Sequence, residues 1–212
     1  MPETFQGYIK ICGVTSVDDA MMVAASGASA LGLIFAESPR RLTLEQAREI
    51  AGASEGAVLR CAVFRHDEDE FILERVDATG VEIVQLHGAL SERLLVELRA
   101  RPLRIVKALN IEAEEFDNFD ETTVDAIMID GARPGSGESH SWDRLRARSF
   151  CVPVIAAGGL NPENVADVVR STGVSGVDSA SGVEASPGVK SPELVARFVS
   201  NARRALSSVE AS

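Results

Sequence analysis

An α/β fold, a single-domain (βα)8 barrel of the TIM type, is the architecture this sequence predicts. Three observations carry it: eight short β-rich runs, helical patterns between them, and helix-start signals that follow the runs repeatedly. Regular alternation of strand and helix implies a parallel sheet, and eight units are the count that closes a barrel; a doubly wound open sheet is the alternative.

The β-rich runs fall near residues 8–12, 30–35, 58–64, 82–86, 103–108, 125–129, 152–156 and 175–178. In the first, period-2 alternation sends Tyr8, Lys10 and Cys12 to one face and Ile9 and Ile11 to the other, so a thiol and an ammonium share a side. Val17, Ala20, Met21, Ala24 and Ala25 then recur at helical spacing as one apolar stripe. Thr43-Leu44-Glu45-Gln46 reads as a capping box, and Asn161-Pro162 and Ser191-Pro192 each place a cap before a first-turn proline. The stretch 109–124 is acidic and loosely periodic, which predicts a reduced helix. Leu194, Val195, Phe198, Val199 and Ala202 repeat the apolar stripe in the last helix, and the end from Ser207 to Ser212 is expected to fray. No composition break divides residues 1–212, so one domain is expected.

The chain of 212 residues carries a formal charge of -11 with a pI near 4.8. Such a field repels phosphates at long range, which argues against nucleic acid and anionic membranes as partners, so any phosphate must be held by local geometry. No stretch approaches a membrane span, and the start Met1-Pro2-Glu3-Thr4-Phe5 has neither a basic nor an apolar region, so a cytoplasmic protein is expected. Cys12, Cys61 and Cys151 lack metal-ligand spacing and favour neither a disulfide framework nor a zinc site; Cys61 and Cys151 read as core or strand-edge residues.

In such a barrel chemistry is done where strands end, which selects Cys12, Arg40, His87, Asp130 and Asp178 together with two glycine-rich turns. Ala157-Gly158-Gly159-Leu160 and Ser181-Gly182-Val183-Glu184 follow the seventh and eighth runs, where backbone amides and helix starts can cradle a phosphate; plain tight turns are the other reading. Asp130 follows the apolar Ile127-Met128-Ile129, which would raise its pKa and suit it to proton donation, although a loop-fixing carboxylate fits the same spacing, and Asp178 competes for the role. Cys12 would need its thiolate to act as a base, with Lys10 as the nearby charge; a small buried residue is the alternative. His87 either lines the pocket or satisfies a backbone group, while His66 and His140 sit in loops.

Five segments occur in order along nearly the whole chain: Lys10-Ile11-Cys12-Gly13-Val14-Thr15, Gly32-Leu33-Ile34-Phe35 with Ser38-Pro39-Arg40, Val84-Gln85-Leu86-His87-Gly88, Gly158-Gly159-Leu160-Asn161-Pro162-Glu163-Asn164-Val165, and Ser181-Gly182-Val183-Glu184 with Pro187-Gly188. As an ordered set they resemble the phosphoribosylanthranilate isomerase family of tryptophan biosynthesis. The resemblance implies a small-molecule phosphosugar substrate, no metal or organic cofactor, and an Amadori rearrangement. It makes Cys12 the general base, Asp130 the general acid and Arg40 the partner of the anthranilate carboxylate. It assigns the backbones of Gly158, Gly159, Ser181 and Gly182 to the phosphate; His87 and Asp178 remain substrate-binding candidates from their places at strand ends. A monomer or a homodimer is expected.

The sequence departs from the family pattern in three places. The loop Gly131-Ala132-Arg133-Pro134-Gly135-Ser136-Gly137 is short and is followed by Glu138, Ser139-His140-Ser141-Trp142 lacks the usual Phe-Asp, and Ala180 replaces a serine. A related histidine-pathway isomerase resembles a two-carboxylate design, against which Cys12 discriminates; a barrel that binds phosphosugars without turnover is the reading from another class.

Overall fold

The computed structural model describes residues 5–131 and 141–210 of the chain. Eight strands, β1 (Tyr8–Cys12), β2 (Ala30–Ile34), β3 (Leu59–Phe64), β4 (Ile83–Leu86), β5 (Arg104–Asn110), β6 (Ala126–Asp130), β7 (Val154–Ala157) and β8 (Gly176–Ser179), close in sequence order into a parallel barrel. The seam is the pairing of β1 with β8, in which Lys10 is the register partner of Asp178.

Strand alternation sorts the side chains into two cores. Ile9, Ile11, Leu31, Leu33, Ile127 and Ile129 join the apolar layer beneath the helices, whereas Tyr8, Cys12, Cys61, Val63, Val106 and Met128 fill the barrel interior. The alternation expected along β1 is therefore realised, with the thiol and the ammonium both facing inward.

Helices α1 (Val17–Ala25), α2 (Leu44–Ala53), α3 (Asp69–Thr79), α4 (Glu92–Arg99), α5 (Glu115–Asn118), α6 (Ser141–Ala147), α7 (Val165–Thr172) and α8 (Pro192–Glu210) surround the sheet. The capping box forms as read: the Gln46 amide donates to Thr43 Oγ1 at 3.2 Å and the Thr43 amide to Gln46 Oε1 at 2.9 Å. Ser191 accepts from the Leu194 amide at 3.3 Å and opens α8 ahead of Pro192. The reduced element expected within 109–124 is a four-residue α5 followed by a 3-10 turn over Glu121–Thr123. After β8 a small hairpin of β9 (Glu184–Ser186) and β10 (Val189–Lys190) precedes α8.

Two expectations are corrected. The cap of α7 is Asn164, not Asn161, because Asn161 Oδ1 accepts the amides of both Glu163 and Asn164 in a side-chain turn that keeps Pro162 outside the helix. α8 runs as far as Glu210, with Ala205 and Leu206 buried against the barrel, and 211–212 lie outside the described residues. Cys151 is exposed in the loop before β7, while Cys61 is buried inside the barrel as read.

Candidate active site

All eight strands are parallel, so their C-terminal ends open on one mouth, and a cavity of about 300 Å³ lies there. Cys12 from β1, Asp130 from β6 and Asp178 from β8 line it, with His87 just past β4 and both glycine turns on its rim.

Cys12 is 5% exposed, and its place depends on a missing side chain next door. Gly32 is its register partner on β2, and a Cβ there would lie 2.7 Å from Cys12 Sγ. Burial pushes the thiol above its usual pKa while Lys10, next in influence, pulls it down. Lys10 is fully buried, with its Nζ donating to Asp178 Oδ1 at 2.8 Å. Removing a lysine from water is costly unless it is paired and hydrogen-bonded, so the two residues are mutually dependent. Of the two aspartates, Asp178 is committed to Lys10, whereas Asp130 has no cation within bonding distance among the described residues.

Asp130 is the last residue of β6, after an apolar run packed in the barrel wall. Burial raises its pKa, and the negative charge of Asp178 adds to the rise. His87 stands beside it with Nδ1 at 3.8 Å from Asp130 Oδ2, too long for a hydrogen bond. The other ring nitrogen, Nε2, lies 2.6 Å from Gln85 Nε2. Burial first, then the charges of Lys10 and Arg65, lower the His87 pKa to about 4, so the ring is neutral near pH 7. Gln85 is itself buried, and its Oε1 has no hydrogen-bond partner among the described residues.

Both glycine turns have the form a cradle needs. Gly158 and Gly159 have φ of +87° and +69°, open to glycine at little cost. At Gly182 a Cβ would strike the Leu160 carbonyl, so the two turns can pack together only without it. The amides of Gly159, Ser181 and Gly182 meet no acceptor among the described residues and border the cavity. Ala180 offers no hydroxyl, but its carbonyl accepts from Lys190 Nζ at 3.0 Å. Ala132 to His140, including Glu138, lie outside the described residues.

Ser38 and Pro39 line the cavity wall, while the Arg40 guanidinium is turned onto Glu184. Nε and Nη2 donate to Oε1 and Oε2, each at 2.6 Å. The sequence reading missed this partner, although Glu184 stands in a segment it singled out. It also missed Arg65, which directly follows β3 and brings a cation to the cavity wall, and Gln85, hidden two residues before His87 on the same inward face.

A family model for N-(5'-phosphoribosyl)anthranilate (PRA) isomerase matches residues 9–201 of the chain. An N-(5'-phosphoribosyl)anthranilate isomerase from Rubrobacter xylanophilus is 38% identical over 203 residues, covering 92% of this chain and 98% of that protein. Phosphoribosyl anthranilate isomerase from Thermotoga maritima superimposes with a TM-score of 0.81 at 33% identity, over 93% of this chain and 98% of the other. A solved phosphoribosyl anthranilate isomerase in complex with reduced 1-(o-carboxyphenylamino)-1-deoxyribulose 5-phosphate gives 0.79 at 31% identity, over 93% of this chain and 98% of the other. Strand order, a cavity at the strand ends and similarity along almost the whole length agree, and the chain belongs to the N-(5'-phosphoribosyl)anthranilate isomerase family.

Proposed function

We propose that this chain converts N-(5'-phosphoribosyl)anthranilate to 1-(2-carboxyphenylamino)-1-deoxyribulose 5-phosphate in tryptophan biosynthesis, by acid and base groups of its own. One observation carries the reading: a thiol on β1, a carboxyl on β6 and unpaired amides after β7 and β8 converge on one cavity.

The reaction moves protons at two different atoms of the sugar. Asp130, held toward its neutral form by burial, gives a proton to the ring oxygen, the bond from C1 to that oxygen breaks, and an iminium forms between C1 and the aniline nitrogen. The iminium acidifies the C2 proton, which the Cys12 thiolate removes to leave an enolamine. Protonation at C1 and loss of the hydroxyl proton at C2 then give the ketose, and exchange with water resets the acid and the base. Lys10 sits where it favours the thiolate against the cost of burial. The amides of Gly158, Gly159, Ser181 and Gly182 take the phosphate, supplying donors without the formal positive charge that the acidic surface lacks. Arg40 takes the ring carboxylate, and His87 and Asp178 flank the sugar.

We place the protein in the cytoplasm as a monomer or a homodimer. Among the described residues no helix is long and apolar enough to cross a membrane. One solved relative, from Thermotoga maritima, is described as dimeric.

The test is loss of the anthranilate-sugar fluorescence signal with purified protein beside Cys12→Ser and Asp130→Asn. Each substitution is expected to lower kcat about 10²-fold or more. No turnover by the unsubstituted protein removes the isomerase reading, and full activity in either variant removes that residue's role.

A further inference from the structure

The hairpin after β8 carries two residues that the mechanism leaves unused. Glu184 opens β9 and Lys190 ends β10, and both side chains are nearly covered, at 5% and 0% exposure. Glu184 Oε1 receives two donors, Arg40 Nε at 2.6 Å and Lys190 Nζ at 2.8 Å, while Oε2 receives Arg40 Nη2 at 2.6 Å. Lys190 also donates to the Ala180 carbonyl, and its backbone amide, not its ammonium, meets Asp19 at 3.2 Å.

The chemistry of this cluster is that of a receptor kept in position. A guanidinium has a side edge, made of Nε and one terminal nitrogen, and an end edge, made of the two terminal nitrogens. Glu184 covers the side edge completely. Arg40 Nη1 has no partner among the described residues, so the end edge stays available for a second carboxylate. The stem is fixed as well: a Cβ at Gly13, the residue after Cys12, would collide with Arg40 Cδ, so the arginine lies flat across the end of β1. Charge completes the picture. Arg40 with Glu184 alone is a neutral pair and a poor anion receptor, whereas two cations on one carboxylate leave the cluster one charge positive.

We propose that Glu184 and Lys190 are positioning residues for Arg40: Glu184 aims its free edge at the substrate's ring carboxylate, and Lys190 keeps the cluster cationic. The inference rests on the reading that Arg40 receives that carboxylate. It also gives the hairpin a task separate from the phosphate amides on its N-terminal side.

Anthranilate and aniline each condense with ribose 5-phosphate, giving two substrates that differ by the ring carboxylate alone. The preference for the first over the second, as the ratio of kcat/KM values, is measured by chromatography of the aminoketose products. Arg40→Ala, Glu184→Gln, Lys190→Met and Lys190→Arg are compared, with thermal melts beside them. Glu184→Gln and Lys190→Met are each expected to lower the preference about tenfold, chiefly through KM for the anthranilate substrate, while Lys190→Arg retains it. Equal losses on both substrates, or no loss, overturn the proposal. If Arg40→Ala lowers the preference and the other two do not, the proposal fails while the reading of Arg40 stands. If Arg40→Ala itself spares the preference, both fall. Should Lys190→Met not fold, the near-isosteric Glu184→Gln decides the outcome.

Discussion

Replacing Gly32 with alanine tests how tightly the barrel fixes its thiol. The added Cβ would lie 2.7 Å from Cys12 Sγ, 3.0 Å from Cys12 Cα and 3.3 Å from Cys12 Cβ. Comfortable contacts between such atoms are about 3.5–4.0 Å, so the overlap with sulfur is close to 1 Å. The backbone of β1 cannot retreat, because the amides of Gly13 and Val14 both donate to the Gly32 carbonyl, at 3.0 and 3.1 Å, and β8 holds the strand from its other side. The side chain must turn instead. Overpacking of this kind costs about 1–3 kcal/mol. For a chain of this size the melting temperature should fall by roughly 2–4 °C per kcal/mol. A base misplaced by about 1 Å loses about 10²-fold in kcat. Because Gly32 lies on β2 and the glycine turns follow β7 and β8, KM should move little. The measurements are the fluorescence assay and a thermal melt, with Gly52→Ala as the control. Gly52 lies inside α2 with nothing within 4 Å of its virtual Cβ, so alanine there should be neutral or slightly stabilising. A folded Gly32→Ala protein with unchanged kcat would refute the reasoning.

Two further predictions concern protons. In the proposed mechanism Asp130 is protonated and Cys12 ionised for the first steps, yet burial raises the first from 3.8 and the second from 9.0. The working form is thus the scarce one in which the proton sits on the lower-pKa group, and its population is flat between the two values. The profile of kcat/KM against pH should show a plateau, with an acid limb above 3.8 set by Asp130 and an alkaline limb above 9.0 set by Cys12. A steady tenfold rise per pH unit from neutrality to pH 9 would contradict the assignment. His87 bears on stability: its pKa falls from 6.5 to about 4 on folding, so the unfolded chain binds more protons between those values. Stability is full above pH 6.5 and declines as the pH drops toward 4, by about 3 kcal/mol from this residue. His87→Gln should flatten that part of the urea-unfolding profile, and an unaltered slope would remove the effect.

Strand order, the inward face of β1 and the positions of Cys12, Asp130 and the glycine turns were all legible in the sequence, because each follows from a local period or from a residue ending a run. The α7 cap was misread for a local reason as well. Asn161 and Asn164 are both good caps, and a mutual side-chain turn decided between them. What sequence could not reveal are pairings across the closed barrel. Lys10 and Asp178 are separated by 168 positions, and Arg40 and Glu184 by 144. No periodicity connects such residues; strand register and hairpin placement do. Arg65 and Gln85 were missed because a charged or amide residue near a strand end is ordinarily a solvated one.

The pairing of Lys10 with Asp178 also bears on how the molecule is made. The two residues face each other across the junction of the first strand and the last, so the fully buried ammonium has no counter-ion until β8 is in place. Contacts this distant in sequence are late and slow to form. During synthesis the thiol of Cys12 emerges early, but its electrostatic environment is complete only after most of the chain has been translated. A nascent chain that lacks the last strand therefore holds an unpaired charge at the barrel wall, which disfavours premature closure and ties the final setting of Cys12 to completion of the fold.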